Sequence, residues 1–355
     1  MSRLFTPLTL RAVTVPNRAW VSPMCQYSSV DGHPTDWHLV HLGALARGGA
    51  GLVMTEATAV VPEGRISPQD AGIWNDAQAA DYARITAFIR GQGSVPAIQL
   101  AHAGRKASTY AAWLGHGSVP QSEGGWRTVG PSAVAFGDYA APDEFPAAAV
   151  PALLEAWAAA ARRAVAAGFE VIEIHAAHGY LLHQFLSPVS NLRTAEYGGD
   201  LAGRARLLLS VVDAVRGAVP DGVALFVRLS ATDWVEGGLT VEEVAEVAAT
   251  LAVRGVDLVD VSSGGNSAEQ QIVLGPGYQV PFARAVRERS GLPVAAVGLI
   301  TEPGQAEKVL LEESADAVLL ARALLREPNW PQRAAFELGD EIAWPVQYER
   351  ARPTR

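Results

Sequence analysis

The stretch HAAHGY, which runs from His175 to Tyr180, places two imidazoles and a phenol within six residues. It follows directly on GFEVIEI, an apolar and β-branched run of the kind that forms buried strands. Because side chains alternate along a strand, Glu173 and His175 are predicted to share one face, and Ile172 and Ile174 the other. The isoleucines are expected to pack beneath helices, so the polar pair is expected to point into a site.

A metal site is one alternative for these rings, since the H-x-x-H spacing of His175 and His178 is followed by His183. Metal sites that use histidine commonly add carboxylates or thiolates, and the sequence shows no clustered set of either beside these rings. We therefore predict that no metal is bound. Hydrogen-bonded histidines that only cap a strand end are the other alternative.

The bulk composition excludes several classes of protein. The 355 residues carry a net charge of −9, which argues against a nucleic-acid surface. No charge-free apolar run of about 18 residues is present, so we expect no membrane span. The amino-terminal residues lack the apolar core of a secretory signal, and Cys25, the only cysteine, fits a reducing compartment. We expect a cytoplasmic protein without an intrachain disulfide or an iron–sulfur cluster.

Eight apolar runs bounded by Gly, Pro or Asp alternate with segments of helical period. The runs cover residues 19–24, 51–57, 95–102, 169–176, 223–230, 256–264, 292–298 and 315–322. The helical segments lie near residues 36–48, 77–92, 151–167, 201–217, 240–254, 279–290 and 303–313. Near-continuous hydrophobic strands that alternate with amphipathic helices indicate a parallel sheet covered on its outer face. The pattern predicts an α/β fold, a (β/α)8 TIM barrel, as a single domain over residues 1–355.

Two segments depart from the plain barrel pattern. Residues 3–18 are expected to form a short hairpin that caps the bottom of the barrel. Residues 103–150, rich in Gly, Pro, Ser and Trp, follow the third strand. So long an insertion is expected to serve as a functional lid, because barrel chemistry sits at the carboxyl ends of the strands.

The last two strand ends carry residues suited to a phosphate. VGLIT contains Gly298 after the seventh strand, and LARALLREP contains Ala321 and Arg322 after the eighth. Many barrels bind a phosphate here, where backbone N–H groups and an arginine suit a dianion. Neither a P-loop nor a G-x-G-x-x-G run follows a strand, which argues against a Rossmann nucleotide site. We predict a phosphorylated cofactor that lies across the mouth of the barrel.

A series of motifs, taken in order, resembles the Old Yellow Enzyme family. The motifs are SPMCQYS, EATAVVPEGRIS, QLAHAGRKAS, HAAHGYLLHQFLSPVSNLRTAEYGG, LAGRARLLL, VRLSATDW and PVQYER. The resemblance runs from about residue 3 to residue 350, and it is to the bacterial ene-reductase branch with the NADPH dehydrogenase and xenobiotic reductase A types. It implies a non-covalent FMN that NADPH or NADH reduces. The flavin N5 would then pass a hydride to the β-carbon of an activated alkene, such as an enone, enal, nitroalkene or maleimide.

The resemblance also implies roles for the residues of HAAHGY. His175 and His178 would donate to the substrate's carbonyl or nitro oxygen, where negative charge develops as the hydride adds. Tyr180 would give a proton to the α-carbon, with a packing role as the alternative. Tyr27 would contact the substrate.

Cofactor contacts are implied at most of the strand ends. Cys25 would lie against the flavin and tune its potential, and Gln99 would bind the pyrimidine edge of the ring. Arg228 would stabilise negative charge near flavin N1 and O2, because a buried arginine needs an anionic or carbonyl partner. Ala321 replaces a glycine that the family often has before its phosphate-binding arginine. The implied set is Ser22, Pro23, Met24, Cys25, Ala57, Gln99, Arg228, Gly298, Ala321 and Arg322.

Three further residues have implied or open roles. PVQYER ends at Arg350, which the resemblance places in the active site of a neighbouring subunit. The tail, residues 340–355, would then lie at the interface of a homodimer or homotetramer. Lys106 either contacts the cofactor or nicotinamide, or is a surface charge that stabilises the lid, and His102 is open in the same way.

Other functions remain open at this point. Another FMN barrel, such as a 2-hydroxy-acid oxidase or a dihydroorotate dehydrogenase, does not explain HAAHGY together with PMCQY. A cofactor-free lyase or isomerase with a phosphorylated substrate is a second alternative, and a non-enzymatic binding protein is a third. A Schiff-base aldolase is disfavoured, because Lys106 and Lys308 are the only lysines.

Overall fold

The computed structural model describes residues 1–354. Within them the strands are β1 Leu8–Leu10, β2 Val13–Val15, β3 Ala19–Val21, β4 Leu52–Ala59, β5 Val95–Ala101, β6 Val129–Gly130, β7 Asp143–Glu144, β8 Val171–Ala176, β9 Ala224–Ser230, β10 Leu258–Ser262, β11 Val294–Ala296 and β12 Ala317–Leu320. The helices are α1 Asp36–Arg47, α2 Asp76–Gly91, α3 Val150–Ala166, α4 Leu181–Leu186, α5 Leu201–Ala218, α6 Val241–Ala252, α7 Val280–Ser290, α8 Pro303–Leu311, α9 Arg322–Arg326 and α10 Trp330–Leu338.

Eight of these strands close into a barrel. Its order is β3-β4-β5-β8-β9-β10-β11-β12, and the ladders between neighbours are parallel. Each predicted apolar run overlaps one barrel strand, and each predicted helical segment overlaps one of the helices α1, α2, α3, α5, α6, α7 and α8. The predicted (β/α)8 barrel is therefore confirmed.

The barrel core has an outer and an inner part. Ile172 and Ile174 belong to the outer cluster, where strands meet helices, as the alternation along β8 predicts. The inner cluster fills the lower barrel with residues from the first halves of the strands. Within it, Trp20 stacks on Phe226 with ring centroids 5.9 Å apart. It also contains residues of the antiparallel β1–β2 hairpin. The predicted cap at the bottom is thus present, and the carboxyl ends of the strands are left as the end where a ligand can enter.

The segment between β5 and α3 forms a small subdomain with the two-stranded β6–β7 sheet. Arg105 fastens its start, because the guanidinium donates to the backbone oxygens of Val134 at 3.0 Å and of Asn266 at 2.6 Å. Tyr27 and Trp113 meet edge to face with ring centroids 5.7 Å apart. The insertion therefore lies beside the mouth of the barrel.

Three helices, α4, α9 and α10, were not anticipated by the sequence pattern. All six residues of α4 are buried, so the helix has no polar face from which a period of 3.6 can be read. Helix α9 has only five residues. In the described part of the chain no helix combines the length and the apolar character that a bilayer span requires.

Candidate active site

A cavity of about 380 Å³ opens at the carboxyl ends of the barrel strands. This volume is within the range of roughly 300–1,000 Å³ that small-molecule sites occupy. All eight strands, or the loops directly after them, contribute to its wall. The lining residues are Ser22, Pro23, Cys25, Ala57, Gln99, His175, His178, Tyr180, Arg228, Ser262, Tyr278, Gln279, Val297, Gly298, Leu299, Ile300, Thr301, Leu319, Ala321, Arg322, Ala323 and Arg326.

Most of the residues singled out in the sequence meet in this cavity. Nine of the ten implied cofactor residues line it. The three titratable residues of HAAHGY, which are His175, His178 and Tyr180, line it as well. Met24 is the exception, since its side chain packs on the outer hydrophobic cluster. Tyr27 does not line the cavity, but it packs on the same small buried cluster as Cys25 and Tyr180. The roles of all these residues stay predictions, whereas their convergence is a structural fact.

The two imidazoles and the phenol of HAAHGY form one cluster of rings. The His175 ring centroid lies 5.2 Å from that of His178 and 5.0 Å from that of Tyr180, and both ring pairs are nearly perpendicular. His175 Nδ1 accepts from the backbone N–H of Ala177 at 3.3 Å, which leaves Nε2 as its N–H donor. His178 Nε2 lies 2.7 Å from Ser262 Oγ. The rings are therefore oriented by contacts that leave donor capacity toward the cavity.

Burial keeps these three rings uncharged. Desolvation, followed by the nearby Arg228 guanidinium, lowers the pKa of both His175 and His178 well below the usual histidine value. Desolvation raises the pKa of Tyr180 well above its usual value. The site therefore presents neutral N–H and O–H donors, which suit an oxygen that gains negative charge during a reaction.

The turn that carries His178 and Tyr180 has a left-handed backbone. The φ angle is +56° at His178 and +73° at Gly179. A Cβ atom on Gly179 would meet the Gly265 carbonyl oxygen at 2.2 Å, so the chain requires glycine here on both steric and conformational grounds. Tyr180 then caps the amino end of α4, which starts at Leu181. This sharp turn is what brings a third ring back toward His175.

The floor of the cavity holds a buried polar layer. Gln99 Nε2 donates to Glu173 Oε1 at 2.7 Å, and Arg228 Nε lies 2.8 Å from Asp260 Oδ2. The same guanidinium donates to Ser22 Oγ at 3.2 Å. Burial, followed by the charge of Asp260, raises the pKa of Glu173, whereas Arg228 opposes the rise at Asp260. The arginine is thus paired as the sequence predicts, and the acidic side chains Asp260 and Glu173 hold Arg228 and Gln99, respectively, in place.

The loop that follows β3 is held from behind. Glu56 accepts a hydrogen bond from the backbone N–H of Gln26 at 2.9 Å, and its other oxygen lies 3.0 Å from His38 Nε2. This buried contact fixes the segment that carries Cys25 and Tyr27, whose φ is +48°. Desolvation raises the pKa of the Cys25 thiol well above its usual value, so burial favours the neutral thiol over the thiolate.

The opposite end of the cavity is cationic. Arg322 and Arg326 line it together with backbone from residues 297–301. Gly298 has a φ of +120°, a conformation that residues with a side chain rarely adopt. Ala321 precedes α9 in the position expected from the sequence, and its side chain does not close the cavity. The two guanidinium groups make this end suitable for a phosphate.

Several lining residues were missed by the sequence analysis. The polar ones among them are Ser262, Tyr278, Gln279, Thr301 and Arg326. Arg326 could have been found, because it follows Arg322 by one helical turn, but α9 itself was not predicted. Gln279 Oε1 accepts from Ser263 Oγ at 2.6 Å, and its Nε2 donates to the Val297 oxygen at 3.0 Å. Such cross-loop contacts leave no local signal in the sequence.

Three residues with open or implied roles lie outside the cavity lining. Lys106 Nζ donates to the backbone oxygens of His178 at 2.9 Å and of Gly265 at 2.8 Å, and His102 is buried, with Nδ1 accepting from the Gly104 N–H at 3.0 Å. Arg350 is exposed on a 3₁₀ helix over Val346–Ala351, which α1 holds through a hydrogen bond from Arg47 to Tyr348 Oη at 2.7 Å. Arg350 does not line the cavity of its own chain, and Arg355, the last residue of the predicted interface tail, lies outside the described residues.

A family model described as the NADH:flavin oxidoreductase / NADH oxidase family matches residues 3–341. The chain belongs to this family. It is 47% identical over 350 residues to an NADPH dehydrogenase of Geobacillus thermodenitrificans, and the match covers 98% of each chain. This confirms the resemblance on which the residue roles depend.

Solved structures of the NADH:flavin oxidoreductase family have the same fold. Morphinone reductase in complex with tetrahydroNAD superposes with a TM-score of 0.79 at 28% identity, over 96% of this chain and 92% of that chain. An Old Yellow Enzyme homologue from Zymomonas mobilis has a TM-score of 0.79 at 25% identity, over 99% of both chains. The protein is thus an FMN-dependent oxidoreductase of the Old Yellow Enzyme type with a nicotinamide nucleotide as reductant.

The cavity fits FMN by the chemistry of its two ends. At the floor, Gln99 and Arg228 can form hydrogen bonds with the carbonyl and N–H edges of a planar ring system. At the far end, Arg322 and Arg326 can bind a phosphate. The small side chain of Ala57 leaves the wall between β4 and β5 open. A donor set of this kind is what a flavin mononucleotide requires.

Proposed function

We propose that the protein is an ene-reductase, which reduces the double bond of an alkene activated by a carbonyl or nitro group. The observation that carries this proposal is the cluster of neutral donors at the cavity, formed by His175, His178 and Tyr180. When bound, FMN supplies the hydride that the reaction needs. The residues of the chain then have to bind the activating oxygen, orient the alkene and deliver a proton.

In the proposed mechanism, His175 and His178 donate hydrogen bonds to the activating oxygen of the substrate. Because burial keeps both imidazoles neutral, they bind without a full charge and stabilise the negative charge that develops on that oxygen. Tyr180 holds its proton, as its raised pKa requires, until the α-carbon becomes basic enough to take it. Tyr27 contacts the substrate beside Cys25.

Two parts of the chain are proposed to complete the site. The insertion over residues 103–150 acts as a lid, which is supported by the edge-to-face contact of Trp113 with Tyr27 and by Trp126, which packs on the same buried cluster as Cys25. Arg350 reaches the active site of a neighbouring subunit in a homodimer or homotetramer. The exposure of Arg350 on a helix that docks beside α1 of its own chain supports this arrangement.

The proposal is tested first by colour and reduction. The purified protein is expected to be yellow with a flavin spectrum, and NADPH or NADH is expected to bleach it under anaerobic conditions. A cyclohexenone or a maleimide should then restore the oxidised spectrum. A flavoprotein that is bleached but is reoxidised by no activated alkene would contradict the ene-reductase assignment, while the family assignment would stand.

The paired imidazoles are tested by ligand binding. A para-substituted phenol, bound as its phenolate, is expected to give a long-wavelength charge-transfer band with the oxidised flavin. The band should disappear when both His175 and His178 are replaced by alanine and persist when the exposed His116 is replaced. Retention of the band in the double variant would remove the proposed role of the pair.

A further inference from the structure

The amino end of Lys106 approaches the turn over residues 178–180, which carries two of the proposed catalytic residues and is called the catalytic turn below. The residue closes a 3₁₀ turn over Gly104–Lys106, directly after β5. Its Nζ donates to the His178 carbonyl oxygen at 2.9 Å and to the Gly265 carbonyl oxygen at 2.8 Å. It also lies 4.4 Å from the ring centroid of Phe136 and 5.1 Å from that of Tyr180. One ammonium group therefore connects three separate strand ends of the barrel.

The ammonium is satisfied without a carboxylate. Among residues 1–354, none provides a carboxylate oxygen within 4.0 Å of Lys106 Nζ. Desolvation, followed by the adjacent Arg105, lowers the pKa of Lys106 to about 7. A partly buried cation with no counterion is costly, so its contacts with the two carbonyl dipoles and two aromatic faces have to offset the cost. A lysine that only decorates the lid surface would not be placed in this way.

The two carbonyl groups need such a cation. Gly179 and Gly265 allow the turn and the loop after β10 to touch, since a Cβ on Gly265 would meet His178 Cα at 2.6 Å. When the two segments are this close, the carbonyl oxygens of His178 and Gly265 both point toward the position of Lys106 Nζ. Without a donor there, the negative ends of the two carbonyl dipoles would repel each other. Lys106 occupies this position and replaces the repulsion with two hydrogen bonds, which are charge-assisted when its amine is protonated.

Three further side chains hold other polar groups of the turn. The His178 N–H donates to Ser230 Oγ at 2.9 Å, and the Gly179 N–H donates to His183 Nδ1 at 2.9 Å. The Gly179 carbonyl oxygen accepts from Gln184 Nε2 at 2.6 Å. The left-handed backbone of the turn is therefore clamped from several elements, and Lys106 adds the contact to the His178 carbonyl oxygen.

We propose that Lys106 is a positioning residue for alkene reduction, whose ammonium fixes the distance between the catalytic turn and the loop after β10. Through that contact it sets the position of the His178 imidazole, which Ser262 at the end of β10 also contacts. The inference depends on the proposed roles of His178 and Tyr180. It assigns no contact between Lys106 and the cofactor or the reacting atoms.

The experiment compares Lys106→Met, Lys106→Gln and Lys106→Arg with the wild type. Lys308→Met is the matched control, because Lys308 is the only other lysine and its side chain is 73% exposed. Each protein is titrated with FMN by flavin fluorescence, and each holoenzyme is titrated with 4-chlorophenol by its charge-transfer band. Stopped-flow reoxidation by cyclohexenone is measured as a third quantity.

We expect Lys106→Met to weaken phenolate binding and slow reoxidation by about tenfold or more, which is the size of effect that a lost charged hydrogen bond produces. FMN affinity should stay within about twofold, Lys106→Gln should be intermediate, and Lys106→Arg should recover most of the affinity because it keeps the charge and the donors. If Lys106→Met does not fold, the comparison of the glutamine and arginine variants carries the test.

Two outcomes overturn the inference. Phenolate affinity equal to that of wild type and Lys308→Met throughout the series would show that the clamp does not position the turn. Loss of FMN affinity in proportion to phenolate affinity would show a general collapse of the site instead. Absence of the charge-transfer band in the wild type would count against the proposed function itself, so the two failures are distinguishable.

Discussion

At the scale of single residues, burial decides the chemistry of the site. His175, His178, Tyr180 and Cys25 all have pKa values shifted so that the uncharged form is favoured, with desolvation as the largest cause in each case. A neutral imidazole can donate to an oxygen and a neutral phenol still carries its proton. The same residue types on a surface would titrate near their ordinary values and would lose this arrangement.

Replacement of Tyr180 by phenylalanine removes the proposed proton donor and keeps the ring. We expect reoxidation of the reduced enzyme by an enone to slow by about 10²–10⁴-fold, the usual contribution of a general acid. Reduction by NADPH and FMN affinity should change little. Stopped-flow measurement of both half-reactions checks this, with Tyr110→Phe, which lies outside the cavity lining, as control. Unchanged reoxidation would move the proton-donor role to Tyr27 or to water.

Asp70 is a buried carboxyl group that the sequence analysis did not single out. It accepts from the Ile66 N–H at 2.7 Å and from Ser67 Oγ at 3.1 Å, and desolvation, followed by Glu56, raises its pKa to about 7. The folded state therefore binds more protons than the unfolded state between about pH 4 and pH 7. Across that interval the contribution of Asp70 to the free energy of unfolding falls as pH rises, and this contribution levels off above about pH 7.

The Asp70→Asn variant should lack this part of the pH dependence. We expect the difference in free energy of unfolding between wild type and Asp70→Asn to change by about 1–4 kcal/mol from about pH 4.5 to pH 7.5, with the wild type losing more. Urea unfolding of the apoproteins measures it. The exposed Asp138→Asn serves as control. A constant difference across this range would mean that Asp70 is ionised throughout.

At the scale of elements, the turn after β8 is the part of the site with the strictest backbone requirement. Gly179→Ala should disrupt this turn for two reasons. Alanine is strained in the left-handed conformation that Gly179 adopts, and its Cβ would overlap with the Gly265 carbonyl oxygen. Gly199→Ala is the matched control, because Gly199 has a φ of +75° and a Cβ added to it would meet no atom within 4 Å.

The control variant should cost roughly 1–2 kcal/mol of stability, the usual penalty for a left-handed residue with a side chain. Gly179→Ala should cost more than Gly199→Ala and should also abolish phenolate binding. Thermal unfolding and the charge-transfer titration measure the two effects. Equal losses of stability with phenolate binding retained would show that the turn tolerates movement against Gly265.

The elements themselves could largely be predicted, because strand and helix periods are local properties of the chain. The runs that contain Glu173 and Arg228 each gave a strand at the predicted place. The all-buried helix α4 could not be predicted, since its position against the outer core, rather than a polar face, stabilises it. Helix α9 was not predicted because its five residues are too few to show a helical period. Arg326, which lies on this helix and lines the cavity, was missed for the same reason.

At the scale of the whole molecule, the closed barrel brings residues from all parts of the chain to one end. Arg350 is the proposed exception, because it lies outside its own cavity and is expected to serve a neighbour. An Arg350→Ala variant should raise the KM for an enone and leave FMN content unchanged. The exposed Arg289→Ala serves as control.

Subunit complementation tests the shared site directly. Arg350→Ala and Tyr180→Phe chains, each deficient alone, are co-expressed with different tags and the mixed oligomer is purified. The site that has Tyr180 from one chain and Arg350 from the other should regain activity toward the enone. A mixed oligomer without recovered activity, or a protein that light scattering shows to be monomeric, would contradict the proposal.

The sequence alone determined the barrel, its capped lower end, the family and most of the residues that line the cavity. These depend on hydrophobic period and on motifs that are continuous along the chain. Only the tertiary structure decided the protonation of the rings, the pairing of Arg228 with Asp260 and the contact of Lys106 with Gly265, which lies 159 residues further along the chain. Such properties depend on desolvation and on distances between remote segments, and the order of residues does not specify either until the barrel has closed.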